Sequence, residues 1–334
     1  MENKNRGPDA APMEDARARL LARMRAVAAH IDAHPADPLS LQQLSGIAAC
    51  SPCHFHRQFA ALAGLALARY VLLSRMRRAA AQLLHRRELG VLEIALASGY
   101  DSPEAFSRAF RRVLGCAPSA FRAAQQLAAW PDLEHASTQL TEPQKMTDDF
   151  ARLNEQVRLV QVPDTPIALL VHRGPPRQIG ASLNRFIAWR REHRLPPQRS
   201  ATFNILYDDP DQVEAEDYRF GLGAGIGAGI GAGTGPGPGT APAATEVAPN
   251  RQGLVAATIP GGLCAVLRHE GPDASLFATI GALYRDWLPA SGHELRDFPI
   301  YLQRLRFFPD VPAQQALSEI HLPLRPAAAS VKAR

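Results

Sequence analysis

The chain has 334 residues, of which 46% are hydrophobic and 21% charged, and its formal net charge is +5. This length exceeds one ordinary domain and suffices for two domains that each bury a core. No run of about 18 apolar residues occurs, which excludes a conventional membrane-spanning helix and leads us to expect a soluble, cytoplasmic protein.

The N-terminal segment 1–15 is polar and has no apolar run typical of a targeting signal, so we expect it to be disordered. The segment 16–125 that follows holds fifteen arginines against six acidic residues, a local net charge of +9. Arginine suits bidentate contacts with phosphate and guanine. A genomic base bias would also raise the arginine content, so the charge favours a nucleic-acid partner without establishing one.

An internal repeat with an offset of 51 residues lies in this basic segment. Both copies begin Ser-Pro and keep two phenylalanines and an arginine in register. The matching pairs are Ser51 with Ser102, Pro52 with Pro103, Phe55 with Phe106, Arg57 with Arg108, Phe59 with Phe110, Gly64 with Gly115 and Tyr70 with Phe121.

Each copy predicts a short helix. Serine is a preferred N-cap, proline is tolerated at the first helical position, and phenylalanines four residues apart share one helix face. Arg57 and Arg108 each lie two residues after the first phenylalanine, roughly 200° around the helix. We therefore expect both arginines to face solvent or a ligand.

A shorter amphipathic segment precedes each copy, at residues 39–44 and 91–96. Two short helices, a small-residue turn and a basic second helix predict a helix-turn-helix, whose second helix enters the major groove of DNA. Apolar residues at helical spacing over residues 69–84 predict a continuous helix between the two units. A plain helical bundle with solvated arginines is the alternative, but two copies in register in a basic segment favour DNA binding.

Four motifs in residues 20–125 resemble the AraC/XylS family of bacterial transcriptional regulators. They are Ser51-Pro52-x-His54-Phe55-x-Arg57-x-Phe59, Arg75-Met76-Arg77-x-x-Ala80, Ile94-Ala95-x-x-x-Gly99-Tyr100-Asp101-Ser102-x-x-x-Phe106-Ser107-Arg108-x-Phe110, and Gly115-x-x-Pro118-x-x-Phe121-Arg122.

The resemblance implies that side chains of the two recognition helices contact DNA. From the first helix these are Ser51, Cys53, His56 and Arg57, and from the second Ser102, Glu104, Ser107, Arg108, Arg111 and Arg112.

The four cysteines, Cys50, Cys53, Cys116 and Cys264, predict reduced thiols and no disulfide framework. Cys50 and Cys53, with His54 and His56 nearby, also allow a metal-site interpretation. We expect Cys50 to pack in the turn and Cys53 to face the groove, and thiols that point apart cannot share a metal. The sequence therefore predicts neither a metal nor a cofactor.

Residues 126–150 are rich in turn formers and polar residues and predict a linker. Over residues 151–325, apolar runs bounded by Pro and Gly alternate with longer helical stretches, which predicts an α+β domain. Residues 221–249 alternate Gly, Ala and Pro and predict a flexible insertion. A GxGxxG search matches there, but the run is not a strand-to-helix phosphate loop.

The second half also repeats itself. Residues 162–175 are similar to residues 259–272, and each predicted strand ends in His-x-Gly-Pro before a helix that holds a tryptophan, Trp189 or Trp287. Two such β-α-β-β units packed together generally leave a cleft where a small molecule binds.

His172 and His269 end these two strands and suggest a catalytic pair. Neither has a Ser or Cys nucleophile at readable spacing, so we predict that both stabilise turns and that the domain has no catalytic residue.

Five further motifs, at residues 155–325, resemble the gyrase-inhibitor-like (GyrI-like) effector-binding domain. They are Tyr207-Asp208-Asp209-Pro210, Ile259-Pro260-Gly261-Gly262, His269-x-Gly271-Pro272, Trp287-Leu288-Pro289-x-Ser291-Gly292 and Ser318-Glu319-Ile320-x-Leu322-Pro323-Leu324.

In that family a glutamate on a late strand, in a Pro-x-x-Glu-x-Tyr setting, often meets cationic lipophilic ligands. Counting back from Pro323 without gaps, that glutamate falls on Leu302 and the tyrosine on Arg304. Residues 302 and 304 share one face of a strand. If that face lines the cleft, it is apolar with a guanidinium at its edge, which favours a neutral or anionic amphiphile with Trp189 or Trp287 nearby.

The sequence therefore predicts a multidomain protein: an all-α reader of double-stranded DNA followed by an α+β domain that senses a small molecule. RNA polymerase is a further candidate partner, and a membrane is not. Two alternatives remain open: a C-terminal domain that binds no ligand and serves in protein contacts, and one that hydrolyses a small molecule.

Overall fold

The computed structural model describes residues 10–124, 128–141, 148–210, 213–226, 247–307 and 310–326. The chain divides into two compact units, Met1–Lys145 and Met146–Arg334. This division falls inside the predicted linker 126–150.

The N-terminal unit is helical throughout its regular structure. The predicted pairs of short helices and the longer helix between them are confirmed. The helices are α1 Ala10–Ala33, α2 Leu41–Ile47, α3 Pro52–Ala63, α4 Leu67–His85, α5 Val91–Ala97, α6 Pro103–Leu114, α7 Pro118–Ala124 and α8 Pro131–Thr141.

Two sequence-based boundaries need correction. Helix α1 begins at Ala10, inside the segment 1–15 that we expected to be disordered, while residues 1–9 lie outside the described residues. Helix α8 lies inside the expected linker, and its Leu133, Ala136 and Leu140 are buried with the first helix-turn-helix. The apolar residues of α8 are spaced at three and four residues and therefore form one helix face. The turn-forming residues around them led us to predict a linker instead of this helix.

Both helix-turn-helix units are built on the same three-ring cluster. In the first, the rings of Phe55 and Tyr70 both contact that of Phe59, at centroid distances of 6.1 and 5.6 Å. In the second, Phe106, Phe110 and Phe121 repeat this arrangement at 5.5 Å for each contact. Edge-on aromatic contacts add to the burial of these rings, so the repeat in sequence is a repeat in packing.

The C-terminal unit contains helices and one antiparallel sheet. Its elements are α9 Asp148–Gln156, β1 Arg158–Val162, β2 Thr165–Arg173, α10 Ile179–Glu192, β3 Thr202–Ile205, β4 Arg219–Gly225, β5 Val255–Ile259, β6 Gly262–Glu270, α11 Asp273–Ala282, α12 Leu288–Ser291, β7 Tyr301–Arg306 and β8 Leu317–Pro323, with a π-helical turn at Leu283–Trp287.

The eight strands run in the order β1-β6-β8-β7-β3-β4-β2-β5. Each predicted β-α-β-β series is preceded by an additional strand, β1 before the first series and β5 before the second. Each additional strand pairs with the other series: β1 pairs with β6, and β5 pairs with β2. The two series meet at the pairing of β3 with β7, where Ile205 lies opposite Tyr301.

The sheet has two distinct faces. Helix α10 packs on one of them through Phe186 and Trp189, against Ala168 and Leu222. Helix α11 lies on the same face, because its Thr279 hydroxyl is 3.0 Å from Nδ1 of His269. We call this the helix-covered face.

The opposite face, which we call the aromatic face, carries Phe203, Ile205, Tyr301, Glu319 and His321. Phe203, Ile205 and Tyr301 are buried with Tyr207 and Phe298, which lie outside the strands.

The end of strand β4 corrects the predicted start of the insertion at residues 221–249. Residues 221–225 form the end of β4 and are buried. The close packing around this strand explains why glycine stands there: a Cβ on Gly221 would lie 2.9 Å from Cβ of Ile205, and one on Gly223 would lie 3.1 Å from Cδ1 of Ile167. These glycines let the side chains of neighbouring strands close over β4. Residues 227–246 of the expected insertion lie outside the described residues.

In the part of the chain that the structure describes, no single helix is long and apolar enough to cross a membrane. The bent pair α3 and α4 passes the same test by length and composition only, with a bend of 62°.

Candidate functional site

The second helix-turn-helix has the local geometry that its sequence predicts. Ser102 caps α6, since its Oγ accepts a hydrogen bond from the backbone N–H of Ala105 at 3.2 Å. Gly99 in the preceding turn has φ of +76°, a conformation that favours glycine. The C-cap Gly115 has φ of +77°, so both ends of this region are set by residue type.

Helix α6 separates a buried face from a polar one. Phe106, Ala109 and Phe110 are its buried residues. Ser102 and Ser107 are half-buried, and the other second-helix residues that we assigned to DNA contact are exposed: Glu104, Arg108, Arg111 and Arg112. The exposure predicted for Arg108 is confirmed.

Helix α3 differs from α6 at the equivalent arginine. Arg57 is only 5% exposed, so the expectation that it faces solvent was wrong. Seven of the twelve residues of α3 are buried, against three of twelve in α6. The angle of a residue around a helix predicts its exposure only when the helix packs on one side, whereas α3 contacts α1, α2, α4 and α8.

The start of α3 also departs from its repeat partner. Ser51 occupies the N-cap position, but its side chain does not cap the helix. Its Oγ lies instead 3.2 Å from Sγ of Cys53. Cys53 and His56 are half-buried. The three polar residues assigned to DNA contact here are therefore partly accessible, while Arg57 is not.

Close contacts fix the second unit against the helices that precede it. A Cβ on Gly99 would lie 2.9 Å from the carbonyl oxygen of Pro35 and 3.1 Å from the guanidinium of Arg75. Arg75 itself donates to the carbonyl oxygen of Asp37 at 3.0 Å. Glycine is thus required at residue 99 for space as well as for its backbone angle.

Asp32 of α1 binds three side chains of α4. Its carboxylate accepts hydrogen bonds from Ser74, from Arg77 at 3.2 Å and from Tyr70 at 3.5 Å. Burial raises the pKa of Tyr70 to about 12, and the charge of Asp32 adds to this. The helix that joins the two helix-turn-helix units is therefore anchored to α1 by a polar cluster.

Burial also raises the pKa of the Cys50 thiol to about 12, and Cys53 adds to the shift. A thiol ligates metal as a thiolate. Cys50 is therefore protonated at neutral pH and is a poor metal ligand.

In the C-terminal unit, both tryptophans assigned to ligand binding are core residues. Trp189 and Trp287 are each 2% exposed. The ring of Trp189 stacks on His193 at 4.2 Å, and the indole N–H of Trp287 donates to Oδ1 of Asn154 at 3.2 Å. Each ring therefore has a protein partner in a packed interior.

Leu302 and Arg304 lie on the helix-covered face, and their assignment to a ligand cleft stays a prediction. Leu302 is 2% exposed. Nη1 of Arg304 is 2.7 Å from a carboxylate oxygen of Asp273, the first residue of α11. Because side chains alternate along a strand, the aromatic face instead receives Tyr301 and Gln303.

Three ionic side chains meet at the edge of the aromatic face. Nη2 of Arg158 and Nε of Arg268 donate to the same oxygen of Glu319, at 2.8 and 3.1 Å. The Glu319 side chain is 15% exposed, while those of Arg158 and Arg268 are 54% and 64% exposed. A cavity of about 440 Å³ is lined by these two arginines and Gln156.

His321 lies beside this ionic cluster. Its ring stacks on Tyr301 at 4.7 Å with an interplanar angle of 11°, and its Nε2 is 3.9 Å from Oε2 of Glu319. Burial lowers the pKa of His321 to about 4 against the opposing effect of Glu319. The ring is therefore neutral at pH 7.

Comparison with known families decides what the C-terminal unit is. Residues 155–325, just over half of the chain, match the GyrI-like small molecule binding domain. The chain belongs to this family. Residues 44–124 match a helix-turn-helix domain, and the resemblance to AraC-type regulators is confirmed. This GyrI-like protein is a DNA-binding transcriptional regulator with a small-molecule-binding domain.

Two curated relatives illustrate the two halves. The probable transcriptional regulator YgiV of Escherichia coli strain K12 is 31% identical over 176 residues, which cover 52% of this chain and 99% of YgiV. The right origin-binding protein of the same strain is 31% identical over 101 residues, which cover 30% of this chain and 34% of that protein. Among solved structures, the C-terminal domain of EcmrR aligns with a TM-score of 0.37 at 14% identity, over 51% of this chain and 97% of that domain.

The two strand-end histidines of the GyrI-like unit bind neighbouring polar groups. Nδ1 of His172 is 2.9 Å from Oγ of Ser182 in α10. His269 is within 3.2 Å of the hydroxyls of both Ser275 and Thr279 in α11. Each histidine thus ties the end of a strand to the following helix, as expected for a turn-stabilising residue.

Sequence reasoning missed Arg158, Arg268, Glu319 and His321. The alternation of residues 317–323 in β8 separates Glu319 and His321 from the apolar Ile320 and Leu322, and this signal was available. The partners on β1 and β6 are 161 and 51 residues from Glu319 in sequence, and no local pattern indicates them.

Proposed function

We propose that this protein binds one asymmetric DNA site with both helix-turn-helix units, and that a small molecule in the GyrI-like unit changes its affinity for that site. The exposed polar face of α6, with Arg108 opposite the buried Phe106 and Phe110, supports the DNA-binding half. An exposed arginine on a second helix is placed to reach base edges in the major groove.

We infer unequal roles for the two recognition helices. On α6, Glu104, Ser107 and Arg108 would contact bases, while Arg111 and Arg112 in the last turn would contact phosphates. On α3, Ser51, Cys53 and His56 would provide the contacts, because Arg57 is buried. The second unit would therefore carry more of the sequence specificity.

We also propose that the protein works in the cytoplasm, where it meets RNA polymerase at the promoter through contact or exclusion. We expect no catalytic activity of the GyrI-like unit. His172 and His269, the histidines considered for catalysis, are engaged with hydroxyls of α10 and α11, which supports a structural role for both.

The test combines selection of binding sites from random DNA with footprinting of the selected site. We expect protection of an asymmetric site. We also expect the affinity for this DNA to fall or rise when a ligand of the GyrI-like unit is added. Hydrolysis of the added compound would favour the enzyme alternative. Equal affinity for selected and random DNA would contradict the proposal.

A further inference from the structure

We propose that the GyrI-like unit takes an anionic aromatic ligand, a carboxylate on an aromatic skeleton, at Arg158 and Arg268 beside the aromatic face. This inference rests on the proposed function, since it names the class of molecule that the unit senses. It places the site on the opposite side of the sheet from Leu302 and Arg304.

The charge balance at the cluster carries the proposal. Arg158 and Arg268 both bind Glu319, and a single carboxylate compensates only one of the two guanidiniums. Among the described residues, neither arginine has another hydrogen-bond acceptor. Each guanidinium has five N–H donors, so the pair retains donors and one net positive charge for a second anion.

The setting of the cluster suits a small molecule. The cavity lined by Gln156, Arg158 and Arg268 has a volume of about 440 Å³. Ligand sites commonly measure about 300–1,000 Å³, so the volume suffices for a small molecule. The two half-exposed guanidiniums border solvent, so a ligand can reach them without unfolding the sheet.

Strand pairing places aromatic rings beside the arginines. Arg158 lies opposite Val266, Val266 opposite His321, and His321 opposite Tyr301. Directly paired residues share one face of a sheet, and neighbouring strands are about 4.8 Å apart, so this row is about 14 Å long. Tyr301 is 3% exposed and forms a packed wall at the inner end of the row.

His321 lies between Val266 and Tyr301 in this row and adds an uncharged ring to that wall. Its side chain is 8% exposed, and neither ring nitrogen has a hydrogen-bond partner within the described part of the chain. Because burial keeps the ring neutral, it places no second charge beside the guanidiniums.

A cationic ligand fits this arrangement poorly. It would approach two guanidiniums, and the one carboxylate present already accepts hydrogen bonds from both. Like charges at short distance in a partly desolvated site are unfavourable unless they are compensated. The same residues favour an anion over a neutral molecule of the same shape.

The experiment titrates matched naphthalene compounds into the full-length protein: 2-naphthoate, 2-naphthamide and 2-naphthylmethylammonium. Calorimetry measures each Kd at low and at physiological salt. We expect 2-naphthoate to bind about tenfold more tightly than the amide, since a hydrogen bond to a charged group is about twice as strong as a neutral one. The ammonium compound should bind most weakly, and added salt should weaken only the anion.

Three variants assign the site. Arg158→Gln and Arg268→Gln should each weaken 2-naphthoate about tenfold. Glu319→Gln should strengthen it, because the mutation frees both guanidiniums. Arg325→Gln is the matched control, an arginine 58% exposed and paired with Glu294, and should leave the Kd unchanged.

Three results would overturn the inference. The first is binding of the ammonium compound as tight as that of 2-naphthoate, with loss of cation binding in Glu319→Gln. The second is no binding of any of the three compounds at millimolar concentration. The third is anion binding that neither arginine variant alters. Failure of the proposed function is seen separately, as equal affinity of the unliganded protein for selected and random DNA.

Discussion

Arg57 and Arg108 occupy equivalent positions of the sequence repeat, yet Arg57 is 5% exposed and Arg108 lies on the exposed face of α6. Both follow the first phenylalanine of their helix by two residues. The surroundings of the two helices differ: α6 contacts α4, α5 and α7, whereas α3 contacts α1, α2, α4 and α8. The same motif therefore yields one accessible arginine and one buried one.

Arg108→Ala should weaken binding to the selected DNA site by about 1–3 kcal/mol and binding to random DNA much less, as for the loss of a bidentate base contact. The exposed side chain should contribute little to the free energy of unfolding. Fluorescence anisotropy with both DNAs and urea unfolding measure the two effects. An equal loss on both DNAs would show that Arg108 contacts only phosphate.

Arg57→Ala should lower the midpoint of urea unfolding, because it removes a buried side chain and its packing. Any loss of DNA affinity should then scale with the unfolded fraction. The control for removal of an arginine is Arg86→Ala, because Arg86 is exposed and is paired with Glu88 at 3.7 Å. A specific DNA defect of Arg57→Ala without a change in stability would contradict the buried assignment.

The two recognition helices should contact successive major grooves on one side of the DNA, about 34 Å apart. Helix α4 has 19 residues and so spans about 28 Å, and Asp32 fixes it to α1. Hydroxyl-radical footprinting should show two protected segments separated by about one helical turn for each bound chain. A palindromic site that requires two chains, each with one idle unit, would contradict this arrangement.

Gly99→Ala should destabilise the N-terminal unit more than Gly115→Ala does. Both glycines have φ near +76°, and alanine there costs about 1–2 kcal/mol. Only at residue 99 would the new Cβ lie 2.9 Å from a backbone oxygen, while nothing lies within 4 Å at residue 115. Thermal unfolding followed by circular dichroism compares the two variants. Equal shifts in Tm would show that the contact with Pro35 relaxes freely.

The stability of the C-terminal unit should fall with acid through His321. Its pKa drops from 6.5 to about 4 on folding, mainly by burial, with Glu319 raising it and Arg158 lowering it. The unfolded chain therefore binds this proton first, so the contribution is complete above pH 6.5 and is lost as the pH falls toward 4. The shift corresponds to about 3 kcal/mol.

The measurement is urea unfolding between pH 7 and pH 4 of the wild type and of His321→Phe, which preserves a ring against Tyr301. The variant should lose less stability over this range. An identical pH dependence of the two proteins would show that His321 is accessible to protons in the folded state.

Leu302→Glu should destabilise the C-terminal unit by several kcal/mol, because it places a carboxylate on the helix-covered face where Leu302 is 2% exposed. Leu159→Glu, the same change at a strand residue that is 51% exposed, should be tolerated far better. Unfolding by urea compares the two. Wild-type stability of Leu302→Glu would mean that residue 302 reaches solvent or a ligand cavity.

Local patterns in the sequence determined much of this protein. The Ser-Pro caps, the paired phenylalanines and the apolar spacing of residues 69–84 specify α3, α4 and α6, because helix starts and helix faces depend on residues within four positions of one another. The His-x-Gly-Pro motifs at the ends of β2 and β6 likewise located two strands. The families of both units follow from such motifs.

Only the tertiary structure decided which side chains are accessible. Helix α3 packs against four other helices, and Arg57 is buried despite its position on the helical wheel. The register of β7 with β3 and β8, which no local pattern fixes, placed Leu302 on the helix-covered face. Arg158, Arg268 and Glu319 meet because β1, β6 and β8 are neighbours in the sheet. No local sequence pattern indicates pairing between strands so far apart in the chain.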